Sequence, residues 1–121
     1  MADPTARMET SHEEGCVVIR LSGDLDLVTV PRLEPQIERA IAGAPDVVVD
    51  LTEIQFLDSG GLRLLTRVSA TAAAHNQSLV VVAPPNSIAR SVLEIAGMKG
   101  GLVVHDSPPS TAGANIEQNE G

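Results

Sequence analysis

The chain has 121 residues, which is enough for one hydrophobic core but not two, so a single domain is expected. Hydrophobic residues make up 43% of it but aromatic residues only 1%, which argues against recognition by base stacking or an aromatic cage. The formal net charge of −8 argues against nucleic acid or an anionic membrane as a partner.

The N-terminus has no apolar stretch of the kind found in a secretion signal, and the apolar runs are far shorter than the ~20 residues that span a bilayer. Cys16 is the single cysteine and cannot form an internal disulfide, which fits a reducing compartment. We therefore expect a soluble cytoplasmic protein. Because Cys16 opens an apolar strand, we expect it to be a small core residue and not a redox sensor.

The first part of the chain is predicted to form a strand and a helix. The acidic N-terminus has at most a short edge strand at residues 8–11, and β-branched residues predict a strand over residues 16–21. A turn at residues 23–26 follows. Thr29 is the expected N-cap of a helix that ends at residues 43–45. Its inward face is formed by Leu33, Ile37, Ala40 and Ile41.

The middle of the chain is predicted to form a βαβ unit. Residues 46–51 are a nearly continuous apolar run, typical of a parallel strand covered on both faces. A connection follows, under which Ile54 and Phe56 are expected to pack. A helix over residues 59–75 and a strand over residues 78–83 complete the unit, whose crossover should be right-handed. The inward face of this helix is formed by Leu62, Leu65, Val68 or Ser69, and Ala72.

The last part is predicted to form a short helix over residues 88–97 and a strand over residues 102–104. The inward face of the short helix is formed by Ile88, Ser91 or Val92, and Ile95. The alternation predicts an α/β fold with a mixed β-sheet of about four or five strands and helices packed on it. We expect a flexible N-terminus at residues 1–7, one domain at residues 8–105 and a disordered acidic tail at residues 106–121.

Acidic residues lie at the ends of two predicted strands. Asp24 and Asp26 follow the first strand, and Asp58 precedes Ser59 at the start of the second helix. Because sites in open α/β sheets cluster at the carboxyl ends of strands, the two segments are expected to face one another. A structural interpretation stays open, in which Asp24 and Asp26 are turn residues and Asp58 is a helix cap.

Ser59 is followed by two glycines in the first turn of its helix. Each glycine costs about 1 kcal/mol relative to alanine inside a helix, so Gly60 and Gly61 indicate a close approach, either within the fold or to a partner. A hydroxyl at a helix start is well placed to carry a phosphate. The sequence shows no phosphate-binding glycine motif, no zinc-ligand spacing and no histidine placed to activate Ser59, so we expect no catalytic residue, cofactor or metal.

The chain resembles the STAS-domain family, and within it the bacterial anti-sigma factor antagonists, over residues 8–105. The segment VVVDLTEIQFLDSGGLRLL is similar to the family's strand, D-S-[S/T/G]-G-[L/V/M] phosphorylation loop and helix. The segment LSGDLDLVTVPRL is similar to its G-[E/D]-[L/F]-D turn and first helix, and residues 88–97 to its short third helix. Gly60 stands where many members have a second Ser or Thr, which leaves Ser59 as the acceptor. The family usually ends in a fourth helix, which the residues after Asp106 look unable to form.

The resemblance implies a protein without catalytic activity whose Ser59 is phosphorylated by an anti-sigma factor that is also a serine kinase. The unphosphorylated form would bind the anti-sigma factor and free the sigma factor, and a metal-dependent serine phosphatase would reset the switch. Asp26 and Asp58 match acids that flank the family's phosphorylation loop. Partner contacts are expected at Asp24, Asp26, Asp58, Gly60, Gly61 and Leu62.

Two other functions are compatible with parts of the sequence. A phospho-aspartate receiver domain has a similar length, alternating elements and acids at strand ends. It also needs a suitably placed lysine, whereas Lys99, the one lysine, precedes the last strand. A STAS module could instead be a structural subunit of a transporter or a signalling scaffold, with Ser59 unmodified.

Overall fold

A computed structural model describes residues 6–13, 15–97 and 101–108. In chain order the elements are β1 (Ala6–Glu13), β2 (Cys16–Leu25), α1 (Val30–Ile41), β3 (Asp46–Leu57), α2 (Ser59–Ala74), β4 (Ser78–Val82), α3 (Ile88–Ile95) and β5 (Val104–His105).

Within the described residues the strands form one five-stranded sheet in the order β1-β2-β3-β4-β5. The edge strand β1 is antiparallel to β2, and the other neighbouring pairs are parallel. Each parallel pair is joined through a helix, as a parallel connection requires. The predicted mixed sheet with packed helices is therefore confirmed.

The strands β2 and β3 are longer than the sequence predicts. They remain paired as far as Leu25 and Leu57, so Asp24 lies in a strand opposite Phe56 and not in a turn. The pairing shifts register twice along the way. Such irregularities insert residues into one strand and break the alternation of inward and outward side chains. The hydrophobic pattern of the sequence therefore does not show that the two strands continue to Leu25 and Leu57.

The buried carboxylate of Asp50 stabilises β3 at the first register shift. Only 4% of Asp50 is exposed, and its Oδ1 accepts hydrogen bonds from the Thr52 amide at 2.9 Å and the Thr52 hydroxyl at 2.6 Å. Its Oδ2 lies 3.6 Å from Nε of Arg20 on β2. Asp50 thus supplies an acceptor for the amide of Thr52, beside which the pairing of β3 with β2 changes register.

Several predicted boundaries change. The strand β1 begins at Ala6, two residues before the expected start of the domain, and runs to Glu13, beyond the short edge strand expected at residues 8–11. The last strand is Val104–His105 and not residues 102–104. Residues 1–5 of the expected flexible N-terminus, and the expected tail from residue 109 onward, lie outside the described residues.

The main core lies between the sheet and residues from all three helices. Its helical members are Val30, Leu33, Ile37, Ile41, Leu64, Leu65, Val68, Ala89 and Leu93. The predicted inward face of α1 is confirmed apart from the half-buried Ala40. In α2 the fully buried Leu64 was not predicted to face inward, and Leu62, which was, is only half-buried.

The predicted inward face of α3 is wrong at Ile88 and Ile95, although Val92 packs against the core. Ala89 and Leu93 are buried, whereas Ile88 is 46% exposed and Ile95 is 87% exposed. In a helix of eight residues several apolar stripes fit the sequence about equally well. The packing of α3 against β3 selects the stripe that carries the small Ala89.

A second, smaller cluster is formed by Cys16, Val48 and Val82, with Val18 against it. Cys16 is a buried free cysteine, in agreement with the expected core role. Burial, together with the carboxylates of Asp46 and Glu13, raises the pKa of its thiol. A raised pKa disfavours the reactive thiolate, so Cys16 is a packing residue.

We predict that Leu64→Ala lowers the free energy of unfolding by about 2–5 kcal/mol, because it leaves a cavity in the fully buried core. Urea unfolding at neutral pH measures this. Ile95→Ala, at a largely exposed position of α3, is the matched control and should change the same quantity by less than about 0.5 kcal/mol. Equal losses in the two variants would contradict the described packing.

Candidate functional site

Ser59 is the first residue of α2 and is exposed. Asp58 is the N-cap, with extended backbone, and its Oδ1 accepts hydrogen bonds from the Gly60 amide at 2.8 Å and, more weakly, from the Gly61 amide at 3.4 Å. The structural interpretation of Asp58 as a helix cap is therefore confirmed. The Asp58 carboxylate therefore fixes the start of the helix, whereas the neighbouring Ser59 remains accessible to solvent.

The loop between β2 and α1 is held by Asp26 and Thr29. Oδ1 of Asp26 accepts hydrogen bonds from the amides of Val28 and Thr29, both at 2.9 Å. The buried Thr29 hydroxyl accepts from the Asp26 amide at 3.0 Å and donates to the Asp24 carbonyl oxygen at 2.8 Å. Thr29 is the N-cap residue of α1, but its side chain makes no capping bond, because it closes the loop instead.

The hydrogen bonds to Asp26 stabilise its ionised form. The Thr29 amide has the largest effect, and the Val28 amide and the Thr29 hydroxyl add to it, so the pKa of the Asp26 carboxyl is lowered. A carboxylate of this kind keeps its negative charge at neutral pH. The end of the sheet beside Ser59 is therefore acidic before any modification.

The two acidic segments lie side by side, as expected from the sequence. Leu25 and Leu57 are paired at the ends of β2 and β3, and the Asp58 amide donates to the Leu25 carbonyl oxygen at 3.1 Å. The loop that contains Asp26 consequently lies against the start of α2. This arrangement places the Asp26 loop and Ser59 at one end of the sheet.

Gly60 and Gly61 are buried, and the close approach that they permit is within the fold. A Cβ atom on Gly60 would lie 2.9 Å from the backbone nitrogen of Leu27. One on Gly61 would overlap Cδ1 of Leu57 and lie 2.9 Å from the Leu25 carbonyl oxygen. The geometry accounts for both glycines through loop–helix packing, which leaves no need for a partner to approach them.

Exposed apolar side chains accompany Ser59, and the sequence analysis missed them. Leu27 is 60% exposed, Val28 83% and Phe56 49%. Phe56 was expected to pack under the connection, but the irregular end of β3 turns Ile54 inward and Phe56 outward. We call Leu27, Val28, Phe56 and Ser59 the docking surface. The sequence does place Leu27 and Val28 side by side in an acidic turn and outside any apolar stripe. That placement was the available indication that apolar side chains are exposed here.

The remaining candidate residues have different surroundings. Leu62 is half-buried against the main core. Asp24 is partly exposed near the end of β2. In the described part of the chain no three His, Cys, Asp or Glu side chains form a group that could hold a metal ion. No helix there combines the length and the apolar character needed to cross a bilayer.

The sequence profile described as "Mlab, STAS domain" matches residues 8–104. The chain belongs to the STAS-domain family. It is 27% identical over 123 residues to anti-sigma-F factor antagonist RsfB of Mycobacterium tuberculosis, with 97% of this chain and 98% of the relative covered. It is 27% identical over 100 residues to the anti-sigma-B factor antagonist of Staphylococcus aureus, with 82% of this chain and 92% of the relative covered.

A solved structure of an anti-sigma factor antagonist from Mycobacterium paratuberculosis superposes on this STAS domain with a TM-score of 0.74 at 28% identity. The match covers 88% of this chain and 90% of that one. The receiver-domain alternative is wrong, because a receiver has a parallel sheet in the order 2-1-3-4-5 and this sheet has consecutive order with an antiparallel edge.

We predict that Gly61→Ala destabilises this STAS domain by about 1–2 kcal/mol. The clash with Leu25 and Leu57 outweighs the gain in helix propensity of about 1 kcal/mol. Thermal and urea unfolding measure the change. Gly101→Ala is the control, because a Cβ there meets no atom within 4 Å. A Gly61→Ala variant as stable as the parent would show that the loop and helix are not in close contact.

Asp26 makes the stability of the domain depend on pH. Its folded pKa is lowered, so its contribution is complete above the unfolded value of about 3.9 and is lost as the pH falls through the folded pKa. Asp26→Asn keeps an oxygen acceptor without the charge. The variant should be less stable at pH 7, and the difference should shrink on acidification below pH about 4. Urea unfolding across pH tests this, and a difference independent of pH would contradict it.

Proposed function

We propose that this STAS domain is an anti-sigma factor antagonist, switched by phosphorylation of Ser59. The unphosphorylated form binds an anti-sigma factor with serine kinase activity and so frees a sigma factor for transcription in the cytoplasm. Phosphorylation releases the anti-sigma factor, and a serine phosphatase resets the switch. The observation that carries the proposal is the exposed Ser59 next to exposed apolar side chains at the carboxyl ends of β2 and β3.

The relatives support this assignment through their length as well as their names. The match spans 98% of the relative named anti-sigma-F factor antagonist RsfB, so it covers nearly the whole length of an antagonist of this type. The chain contributes a surface and an acceptor hydroxyl, and the partner contributes the catalysis. In this scheme the STAS domain is a substrate and binding partner, and not an enzyme.

The phosphoryl transfer needs little from the STAS domain beyond access. The Ser59 hydroxyl oxygen attacks the γ-phosphorus of ATP held by the kinase, the bond to ADP breaks, and the hydroxyl proton passes to a base on the kinase. Ser59 is suited to this role because it is exposed, whereas the neighbouring Asp58 caps the helix and Gly60 is buried.

Electrostatics accounts for release. The apolar side chains Leu27, Val28 and Phe56 provide contact area that is desolvated when a partner binds. A phosphate adds about −1.5 to −2 charges beside this area, next to the already ionised Asp26. Burying that charge without a cation in the partner is costly, so the complex weakens although the fold is unchanged.

We predict that Ser59→Ala binds the anti-sigma factor with unchanged affinity and that Ser59→Glu binds at least about 10-fold more weakly, a loss of about 1.4 kcal/mol. The measurement is titration calorimetry with each anti-sigma kinase of the same genome. Ser91→Glu adds the same charge at an exposed serine of α3 and is the matched control, with the affinity of the parent.

Phosphorylation is followed in parallel by mass spectrometry after incubation with kinase and ATP. The parent should be modified and Ser59→Ala should not. Equal binding by the parent, Ser59→Ala and Ser59→Glu, with no labelling of Ser59, would overturn the switch and favour a STAS module with a structural role.

A further inference from the structure

The amides at the start of α2 are largely committed within the fold. Those of Gly60 and Gly61 donate to Oδ1 of Asp58, and that of Leu62 donates to the Asp58 carbonyl oxygen at 3.0 Å. A phosphate on Ser59 could take the Gly60 and Gly61 amides only by displacing the capping carboxylate, which carries the same sign of charge. The helix start therefore offers the phosphate few free amides, and a nearby cationic side chain would be a better partner.

Arg63 lies one helical turn after Ser59 on α2. Residues four apart on a helix lie on the same face, with Cβ atoms about 5–6 Å apart, which is within reach of a guanidinium. Arg63 is exposed and, among the described residues, makes no ion pair. With Gly60 and Leu27 it lines a groove of about 290 Å³ between α1 and α2. Its side chain therefore borders the docking surface.

Arg67, the next arginine on this face, is not equivalent. It is two turns from Ser59, about 12 Å along the helix axis, and its Nη1 is paired with Oε1 of Glu34 at 3.1 Å. Nearby charged groups include Asp26 and Asp58, whose Oδ1 atoms bind backbone amides, and Arg63, which makes no ion pair with a described residue. Of these two arginines, Arg63 is the one without an ion pair to a described residue, and it can respond to a new phosphate at position 59.

We propose that the phosphate of phosphorylated Ser59 is bound within the same chain by the guanidinium of Arg63. The proposal rests on the proposed function for the modification of Ser59. The pair is a charge-assisted contact of the kind that orders phosphorylated segments, and it fits the bidentate geometry of arginine with phosphate oxygens. It gives phosphorylation two effects on the docking surface, since a dianion is added and the free cation beside the groove is neutralised.

The test uses the full chain with phosphoserine incorporated at position 59 during translation, so that no kinase is required. Phosphorus NMR gives the second pKa of the phosphate. Arg63→Gln should raise this pKa by about 0.2–0.4 units, since a nearby cation favours the dianion and a helical ion pair of this spacing has that strength. Arg63→Lys should retain most of the effect, and the difference should largely vanish in 1 M salt.

Arg39→Gln is the matched control. It removes the same charge from an exposed arginine in the last turn of α1 that makes no ion pair with a described residue. It should leave the phosphate pKa unchanged. An unchanged pKa in Arg63→Gln would overturn the proposal, and so would an equal rise in Arg39→Gln, since that would mean a diffuse effect of net charge.

The two proposals fail separately. If the phosphate pKa depends on Arg63 but phosphorylated and unphosphorylated chains bind the anti-sigma kinases equally, the ion pair exists and the switch does not. If phosphorylation weakens binding but the pKa is the same in the parent and Arg63→Gln, the switch exists and the phosphate is not held by Arg63.

Discussion

The first turn of α2 packs against the β2–α1 loop with no room for a side chain, and the rest of the candidate site depends on this contact. Without glycine at positions 60 and 61 the helix could not approach the Leu25 carbonyl and the Leu27 backbone. That approach places the loop carrying Leu27 and Val28 beside Ser59 and gives the docking surface its shape. Two residues without side chains thereby determine which side chains are exposed beside Ser59.

The acids near Ser59 have a structural role first. Asp26 and Asp58 each use one carboxylate oxygen to bind two backbone amides, and these bonds hold the loop and start the helix. From the sequence, this structural interpretation is left open beside the partner contacts that the family resemblance implies. Their charge still makes this end of the sheet acidic, whereas the contact area comes from apolar side chains that a partner can desolvate. In the proposed switch, affinity and its control by charge therefore depend on different residues.

The features that could be predicted from the sequence are those that local sequence patterns determine. The bounds of α2, the cap at Asp58 and the alternation of strands and helices follow from spacing and capping chemistry within a few residues. The continuation of β3 to Leu57 and the outward position of Phe56 depend on register shifts against β2, to which distant residues contribute. The inward face of α3 likewise depends on packing against β3. Tertiary contacts decided these features, and no local pattern encodes them.

The position of Ser59 separates regulation from stability. Its neighbours Asp58, Gly60 and Gly61 make the contacts that fix the helix start, and Ser59 itself is exposed. A modification there changes the charge of the surface without removing a bond that the fold needs. If phosphorylation unfolded the helix, part of its free-energy effect would go into unfolding and not into partner binding. In the proposed switch that effect falls on the docking surface, because the bonds from Asp58 that fix the helix start do not involve the Ser59 side chain.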